Sequence, residues 1–297
     1  MAGIVECVPN VSEGRRLDVI DGLAKVITAT PGVRLLDQTS DADHNRSVFT
    51  FAGDPDAVER AALALIDASF AVIDMRGHTG EHPRLGAVDV VPFVPLAGVA
   101  MDECVAIARR VGAAVAAKHS VPVFYYAKAA TRPERVRLPD IRKPEFEGLA
   151  EYLETTHVPD AGPRTLHPSA GAIVIGARPP LIAFNIELDT TDLKVAQRIA
   201  KEIRESSGGL PAVQAKGFML SDPPRAQVSM NLLDHTVTSL PTVWQAVESR
   251  AIAAGVRVLR GELIGLIPLD AALAAAGSAL KLETFARDRV IEARFLE

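Results

Sequence analysis

The chain has 297 residues, 48% of them hydrophobic and 23% charged, with a formal net charge of −5. This composition excludes a disordered or fibrous chain, and the length allows about two domains with a sizeable core. The mildly acidic balance leaves no electrostatic footprint for nucleic acid.

The N-terminal stretch MAGIVECVPN lacks a basic region followed by a long apolar core, so it does not read as a signal peptide. No segment is apolar for long enough to span a bilayer; the Ala-rich runs near 111–117 and 271–276 read as helix faces. A cytoplasmic protein with no membrane partner is expected. Cys7 and Cys104 sit among apolar neighbours and read as buried reduced thiols, without a disulfide framework or zinc spacing.

In chain order, Ile4 to Val8 predicts a strand closed by Pro9. Ser12 reads as the opening of a helix whose buried face carries Leu17, Ile20, Leu23, Ala24 and Ile27. Pro31–Gly32 ends it, and strands follow at Val33 to Asp37 and Ser47 to Ala52. Asp54–Pro55 starts a second helix, because a proline in the first turn loses no needed N–H. Val88 to Val94 predicts a buried strand, Met101 to Ala117 a helix and Val121 to Tyr126 a further strand.

From about 127 to 170 the chain is rich in proline, with one helix expected near Glu145 to Glu154. So long a connection inside a compact protein is usually functional or wraps a neighbouring element. After Pro179–Pro180 the order is strand (Leu181 to Leu188), helix (Leu193 to Glu205), strand pair (Gln214 to Leu220, Ala226 to Leu233), helix (Ser239 to Ala254) and strand (Val256 to Ile264). Trp244 lies on the apolar face of its helix and reads as core. Both halves therefore follow the split order β-α-β-β-α-β. The expected fold is α+β: two ferredoxin-like βαββαβ subdomains, 1–178 and 179–297. Each is expected to be a mixed sheet with helices on one face, with a cleft or tunnel between the two.

The stretch from Met75 to Ala87, MRGHTGEHPRLGA, concentrates two histidines, a carboxylate and two arginines in a loop shaped by glycine and proline. Loops of this kind on a rigid frame are typical site material. His78-Thr79-Gly80-Glu81-His82 also fits the H-x-x-E-H pattern of some zinc peptidases. That chemistry needs both histidines on one helix face, whereas Gly77, Gly80 and Pro83 oppose a helix here, so no metal is expected.

The same loop belongs to a set of collinear segments by which the chain resembles the formiminotransferase family. They are VECVPNVSEG (Val5 to Gly14), TPGVRLLD (Thr30 to Asp37), NRSVFTF (Asn45 to Phe51), GEHPRLGAVDV (Gly80 to Val90) and MDEC (Met101 to Cys104) in the first half. IGAR and LIAFNIEL (within Ile175 to Leu188), AQVSMNLLD (Ala226 to Asp234) and LIGLIPLDAAL (Leu263 to Leu273) continue the set. The resemblance implies transfer of a formimino group from N-formimino-L-glutamate to N5 of tetrahydrofolate, as co-substrate, by a homodimer without a metal. The cyclodeaminase part of the bifunctional family members has no counterpart in this sequence.

The resemblance places the catalytic histidine at His82. It places the folate-contacting segment at Gly162, Pro163, Arg164, Thr165, Leu166, His167, Pro168, Ser169, Ala170 and Gly171. Animal members carry a bulky aromatic where this chain has Ala170, and Leu166 and His167 also depart, so packing against the pterin or benzoyl group is expected to differ. Some members carry an acid where this chain has Thr39; no role carries over to the nearby Asp41 or Asp43. Candidates for the substrate site are Asp37, Asp41, Asn45, Arg46, Glu81, Arg84 and Arg178. The arginines are suited to bind carboxylates bidentately. Two other readings stand beside this one: a folate enzyme using a formyl donor (formyl-glutamate or 5-formyl-tetrahydrofolate), and a non-catalytic folate binder.

Overall fold

The computed structural model describes residues 3–80 and 82–296. It divides into two units, Met1–Arg178 and Pro179–Glu297. In the first unit the strands are β1 (Ile4–Cys7), β2 (Asn10–Val11), β3 (Val33–Asp41), β4 (Arg46–Gly53), β5 (Val88–Ala97), β6 (Val123–Ala127) and β7 (Ile173–Ala177). The helices are α1 (Leu17–Thr28), α2 (Pro55–Val72), α3 (Met101–His119), α4 (Leu138–Arg142) and α5 (Glu145–Leu149).

The opening strand breaks at Val8–Pro9 into β1 and β2, both antiparallel to β4 on one side and β5 on the other. With β3 outside β4, this is the ferredoxin-like order. β7 and β6 then extend the sheet in parallel beyond β5. β5 is buried continuously from Val88 to Val94, as expected of a strand with neighbours on both edges and packing on both faces.

Helices α1, α2 and α3 cover one face. Ile20, Leu23, Leu65, Ile66, Ile107 and Val111 pack there against Phe49, Phe51, Val91 and Phe93. The Asp54 carboxylate caps α2 by accepting the Ala57 N–H at 2.9 Å, an ordinary start with Pro55 in the first turn. Ser12 does not cap α1. That helix begins at Leu17 with no side-chain cap, and the Ser12 hydroxyl donates instead to the Gly86 carbonyl at 2.8 Å. A tertiary hydrogen bond has taken the group that local sequence assigned to a helix end.

The proline-rich connection folds back over the other face of the same sheet. Ile141, Leu149 and Leu153 form a second apolar cluster there with Val90, Phe124, Tyr126 and Val174. Arg135 pins the connection. Its guanidinium lies 4.6 Å above the Phe124 ring and donates to the Val158 carbonyl at 2.8 Å. The single expected helix near residues 145–154 is replaced by the short α4 and α5, and the cluster in which they pack covers the face of β5, β6 and β7 that α1 to α3 leave bare.

The second unit contains β8 (Ile182–Leu188), α6 (Leu193–Ile203), β9 (Val213–Ser221), β10 (Pro224–Leu232), α7 (Leu240–Ala253) and β11 (Val258–Ile264), followed by α8 (Leu269–Leu280) and α9 (Ile291–Leu296). Its sheet order is β11-β8-β10-β9. Every pairing is antiparallel, so the expectation of a mixed sheet holds for the first unit only. The parallel pairings there come from β6 and β7, which have no counterpart here. Ala196, Ile199, Ile203, Val243 and Val247 bury one helix layer on this sheet, and Trp244 packs 6.3 Å from Phe184 between ring centroids. The chain is thus α+β with two ferredoxin-like subdomains. Among the described residues no helix is long and apolar enough to cross a membrane.

Candidate functional site

Asp37, Asp41 and Arg46 lie on the sheet face opposite α1 to α3. Cross-strand partners share a face, and Asp37 pairs with Thr50, Thr39 with Val48 and Asp41 with Arg46. The intervening Phe49 and Phe51 point to the helices. Arg46 and Asp41 therefore stand side by side at one end of the β3–β4 hairpin, with Asp37 farther along.

Asn45 joins that hairpin to two other segments. Its side chain accepts the Gly14 N–H at 2.9 Å and donates to the Thr79 carbonyl at 2.9 Å. Its φ of 48° is left-handed, a conformation that asparagine tolerates better than most residues. Both ends of the amide are engaged and the residue is buried, so Asn45 is a fastener of the site rather than a free contact. Gly80 allows the close approach this needs: a Cβ there would stand 2.5 Å from the His44 carbonyl oxygen.

His82 follows in the same loop. Its side chain is 14% exposed, and Nε2 lies 3.7 Å from Oδ2 of Asp89, itself 2% exposed. That separation is a charge contact beyond hydrogen-bond length, and Nε2 has no hydrogen-bond partner. Asp89 accepts the Leu85 N–H at 2.9 Å and is ion-paired with Arg142 at the end of α4. Burial pushes the His82 imidazole below its usual value, and the nearby Arg142 and Arg46 charges push the same way; Asp89 partly opposes them. Burial disfavours the Asp89 carboxylate, yet Arg142 and His82 with the Leu85 N–H hold its pKa below the usual range. The outcome is a neutral imidazole beside a fixed carboxylate. If its proton sits on Nε2 facing Asp89, Nδ1 is left as the basic atom.

A second carboxylate–imidazole pair lies alongside. His44 Nδ1 is 2.8 Å from Asp41 Oδ2, and the His44 ring centroid is 6.5 Å from that of His82. Asp41 also accepts the main-chain N–H groups of Asp43 and His44, each at 2.9 Å. It thereby fixes the turn that aims His44.

Other sequence candidates are differently employed. Arg84 is 5% exposed on its side chain and pairs with Glu147 and Glu145, while its Nε donates to His78 Nδ1 at 3.2 Å. The other His78 ring nitrogen lies 3.1 Å from the Asn45 carbonyl. Both nitrogens are occupied, so His78 offers no lone pair to a metal. Glu81, the other member of that pattern, lies outside the described residues. Among the described residues no cluster of histidine, cysteine and carboxylate side chains could hold a metal ion. Arg178 follows β7, where its N–H donates to the Phe93 carbonyl at 3.1 Å, and its charge acts on Glu6 and Tyr126.

The segment 162–171 is laced to the His82 loop from both sides. Met75 N–H donates to the Ser169 carbonyl at 2.8 Å and Ala87 N–H to the Ala170 carbonyl at 2.9 Å. His167 stabilises the turn itself, with Nδ1 accepting the Ala170 N–H at 3.0 Å. Arg164, Thr165 and Pro168 are exposed and Leu166 is half-buried. Ala170 is 1% exposed and turns its methyl into the core beneath the helices, so a larger side chain there acts through packing.

Two residues at the centre were missed by sequence reasoning: Asp89 and Arg142. Asp89 had a visible signal, a lone acid inside the apolar run Ala87 to Val94. Arg142 had none, because its place depends on how the proline-rich connection folds.

Comparison with known proteins gives two family matches. Residues 4–178 match the formiminotransferase domain, N-terminal subdomain, and residues 183–288 match the formiminotransferase domain. A glutamate formimidoyltransferase of Streptococcus pyogenes serotype M1 is 46% identical over 286 residues, covering 96% of each chain. One of Thermoplasma acidophilum is 41% identical over 97% of this chain and 96% of its own. The formimidoyltransferase-cyclodeaminase of Rattus norvegicus is 46% identical over 93% of this chain, which matches 52% of the longer rat protein.

Proposed function

This chain belongs to the formiminotransferase family, and we propose that it is a glutamate formimidoyltransferase moving the formimino group of N-formimino-L-glutamate to N5 of tetrahydrofolate. The observation that carries the catalytic part is His82, a largely buried imidazole with a depressed pKa and no hydrogen-bond partner on Nε2, set against the Asp89 carboxylate. The family and the near full-length relatives named for this activity supply the reaction.

The chemistry needs one proton removed and one delivered. N5 of tetrahydrofolate attacks the formimino carbon and gives a tetrahedral adduct. The N5 proton passes to neutral His82. The imidazolium, stabilised by Asp89, returns a proton to the glutamate nitrogen as the carbon–nitrogen bond to glutamate breaks. His82 ends neutral, as it began. A positioned acid/base of this kind contributes typically ~10²–10⁴-fold, and holding the two substrates together supplies the rest.

The segment Gly162–Gly171, joined by main-chain hydrogen bonds to both flanks of the His82 loop, is the proposed folate contact. Asp37, Asp41 and Arg46 face the same side of the sheet and are proposed to meet substrate; Asn45 and Arg84 hold the loops in place. Residues 1–178 and 179–297 are the proposed N- and C-terminal formiminotransferase subdomains, in a cytoplasmic homodimer that works without a metal.

The test assays tetrahydrofolate with formimino-glutamate and formyl-glutamate side by side. Formimino-glutamate should give turnover with release of glutamate. Turnover with the formyl donor alone overturns the substrate assignment.

A further inference from the structure

Around His82 the two carboxylates are engaged by groups other than Arg46. Asp89 is ion-paired with Arg142, and Asp41 Oδ2 lies 2.8 Å from the His44 Nδ1. Arg46, which stands across the strand pair from Asp41, has no hydrogen-bonded carboxylate among the described residues. Its Nε is sealed from solvent without an acceptor, and so is the Nε of Arg142. Buried cationic donors left open in this way are unfavourable unless an anion completes them. The two guanidinium groups also repel: burial first, and then the Arg142 charge, weakens the hold of Arg46 on its proton, and the Asp41 and Asp89 charges offset this only in part. An anion between them would relieve both penalties.

We infer that Arg46 and Arg142 together bind the α-carboxylate of the formimino amino acid beside His82. The inference rests on the proposed function for the identity of the donor. Connectivity selects this carboxylate. In N-formimino-L-glutamate the α-carboxylate is borne by the carbon attached to the reacting nitrogen, so it must lie next to whatever group protonates that nitrogen. The γ-carboxylate is two methylenes farther away. The glutamate tail of folate is separated from N5 by a methylene, an amine and a benzoyl ring. Guanidinium forks match a carboxylate in geometry as well as charge. The pair would also place the leaving nitrogen against the imidazole, which makes it a determinant of specificity for α-amino-acid donors.

The test compares N-formimino-L-glutamate with N-formimino-4-aminobutyrate, which keeps the distal carboxylate and lacks the α one. The wild type should lose about 100-fold or more in kcat/KM on the truncated donor, the loss expected when a charged partner goes unmatched. Arg46→Met leaves no hydrogen-bonded partner orphaned and should fold, as circular dichroism will show. It should lose a similar factor on formimino-glutamate and discriminate between the two donors by only a few-fold. Discrimination like that of the wild type overturns the inference. So does a KM change that tracks the folate tail, seen with tetrahydrofolate but not with tail-less tetrahydropteroate. Should the wild type turn over neither donor, the proposed function fails by itself. Calorimetry with L-glutamate then decides the pair: binding weakened at least tenfold in Arg46→Met supports it, and unchanged or undetectable wild-type binding overturns it.

Discussion

His82 Nε2 stands 3.7 Å from Asp89 Oδ2, with the carboxylate more deeply buried than the imidazole. Burial removes water from both; Asp89 has Arg142 and the Leu85 N–H to hold its charge, whereas Asp89 only partly offsets the cost of charging His82. A folded-state pKa for His82 below 6.5 follows, caused first by burial and then by Arg142 and Arg46. The ring therefore stays neutral, and able to accept the N5 proton, to lower pH than a solvated histidine would. The acid limb of kcat/KM is expected to have its midpoint below 6.5, measured between about pH 5 and 8 at saturating folate. His82→Gln should lower kcat by ~10²–10⁴-fold with little change in the KM for folate. A midpoint above 6.5, or a His82→Gln enzyme of near wild-type kcat, would remove His82 from proton transfer.

Asp89→Asn should act on stability and on the pH profile together. The amide can still accept the Leu85 N–H, but Arg142 loses its counter-charge, and breaking a buried pair costs about 3 kcal/mol. Because the folded pKa of Asp89 is depressed, its contribution is full above the unfolded carboxylate value and is lost as pH falls through the lower folded one. The gap in denaturation midpoint between wild type and variant should therefore close in strong acid. Asp89 also favours the imidazolium, so the acid limb of the variant should move to still lower pH. A limb that moves upward would contradict this arrangement.

How much of this was legible beforehand depended on the range of the interaction. The split β-α-β-β-α-β order of each half follows from local periodicity and turn residues, and it stands. Nothing local separates β7 from the loop before it, because its place between β5 and β6 rests on pairings distant in sequence. Ser12 reads locally as a helix start for the same reason, since its partner Gly86 is 74 residues away. His82 was legible from the density of chemistry in its loop and from the family resemblance. Arg142 reaches Asp89 across 53 residues, and no spacing announces such a contact. Arg84, by contrast, reads as a carboxylate binder because arginine in a site loop so often is one; its glutamate partners lie 61 and 63 residues farther along the chain.

Arg84→Lys tests that distinction. Glu145 and Glu147 are 48% and 62% exposed on their side chains, so those ion pairs contribute little to stability, under about 1 kcal/mol each. Lysine can replace one of them but cannot also reach His78 as the Arg84 Nε does at 3.2 Å. The variant should melt close to wild type while kcat falls about tenfold or more, as misplacing a loop does, with the KM for either substrate little changed. A selective rise in the KM for the amino-acid donor would instead assign Arg84 to a substrate carboxylate.

Gly171→Ala should separate the folate segment from the His82 loop. Gly171 has φ +72°, and a Cβ there would stand 2.3 Å from the Leu85 carbonyl oxygen and 2.7 Å from the Gly86 Cα. Both are main-chain atoms of the loop that carries His82, so neither can yield without moving the site. The left-handed conformation alone costs an alanine roughly 1–2 kcal/mol, and the clash adds to it. Gly208 provides the control: its φ is +84°, and nothing lies within 4 Å of its Cβ position. Gly208→Ala should show only the conformational cost, about 1 kcal/mol, with activity intact. Gly171→Ala should be destabilised further and should lose kcat and folate affinity together. Equal losses of stability in the two variants, with activity preserved in both, would show that close contact between the two segments is not what the site requires.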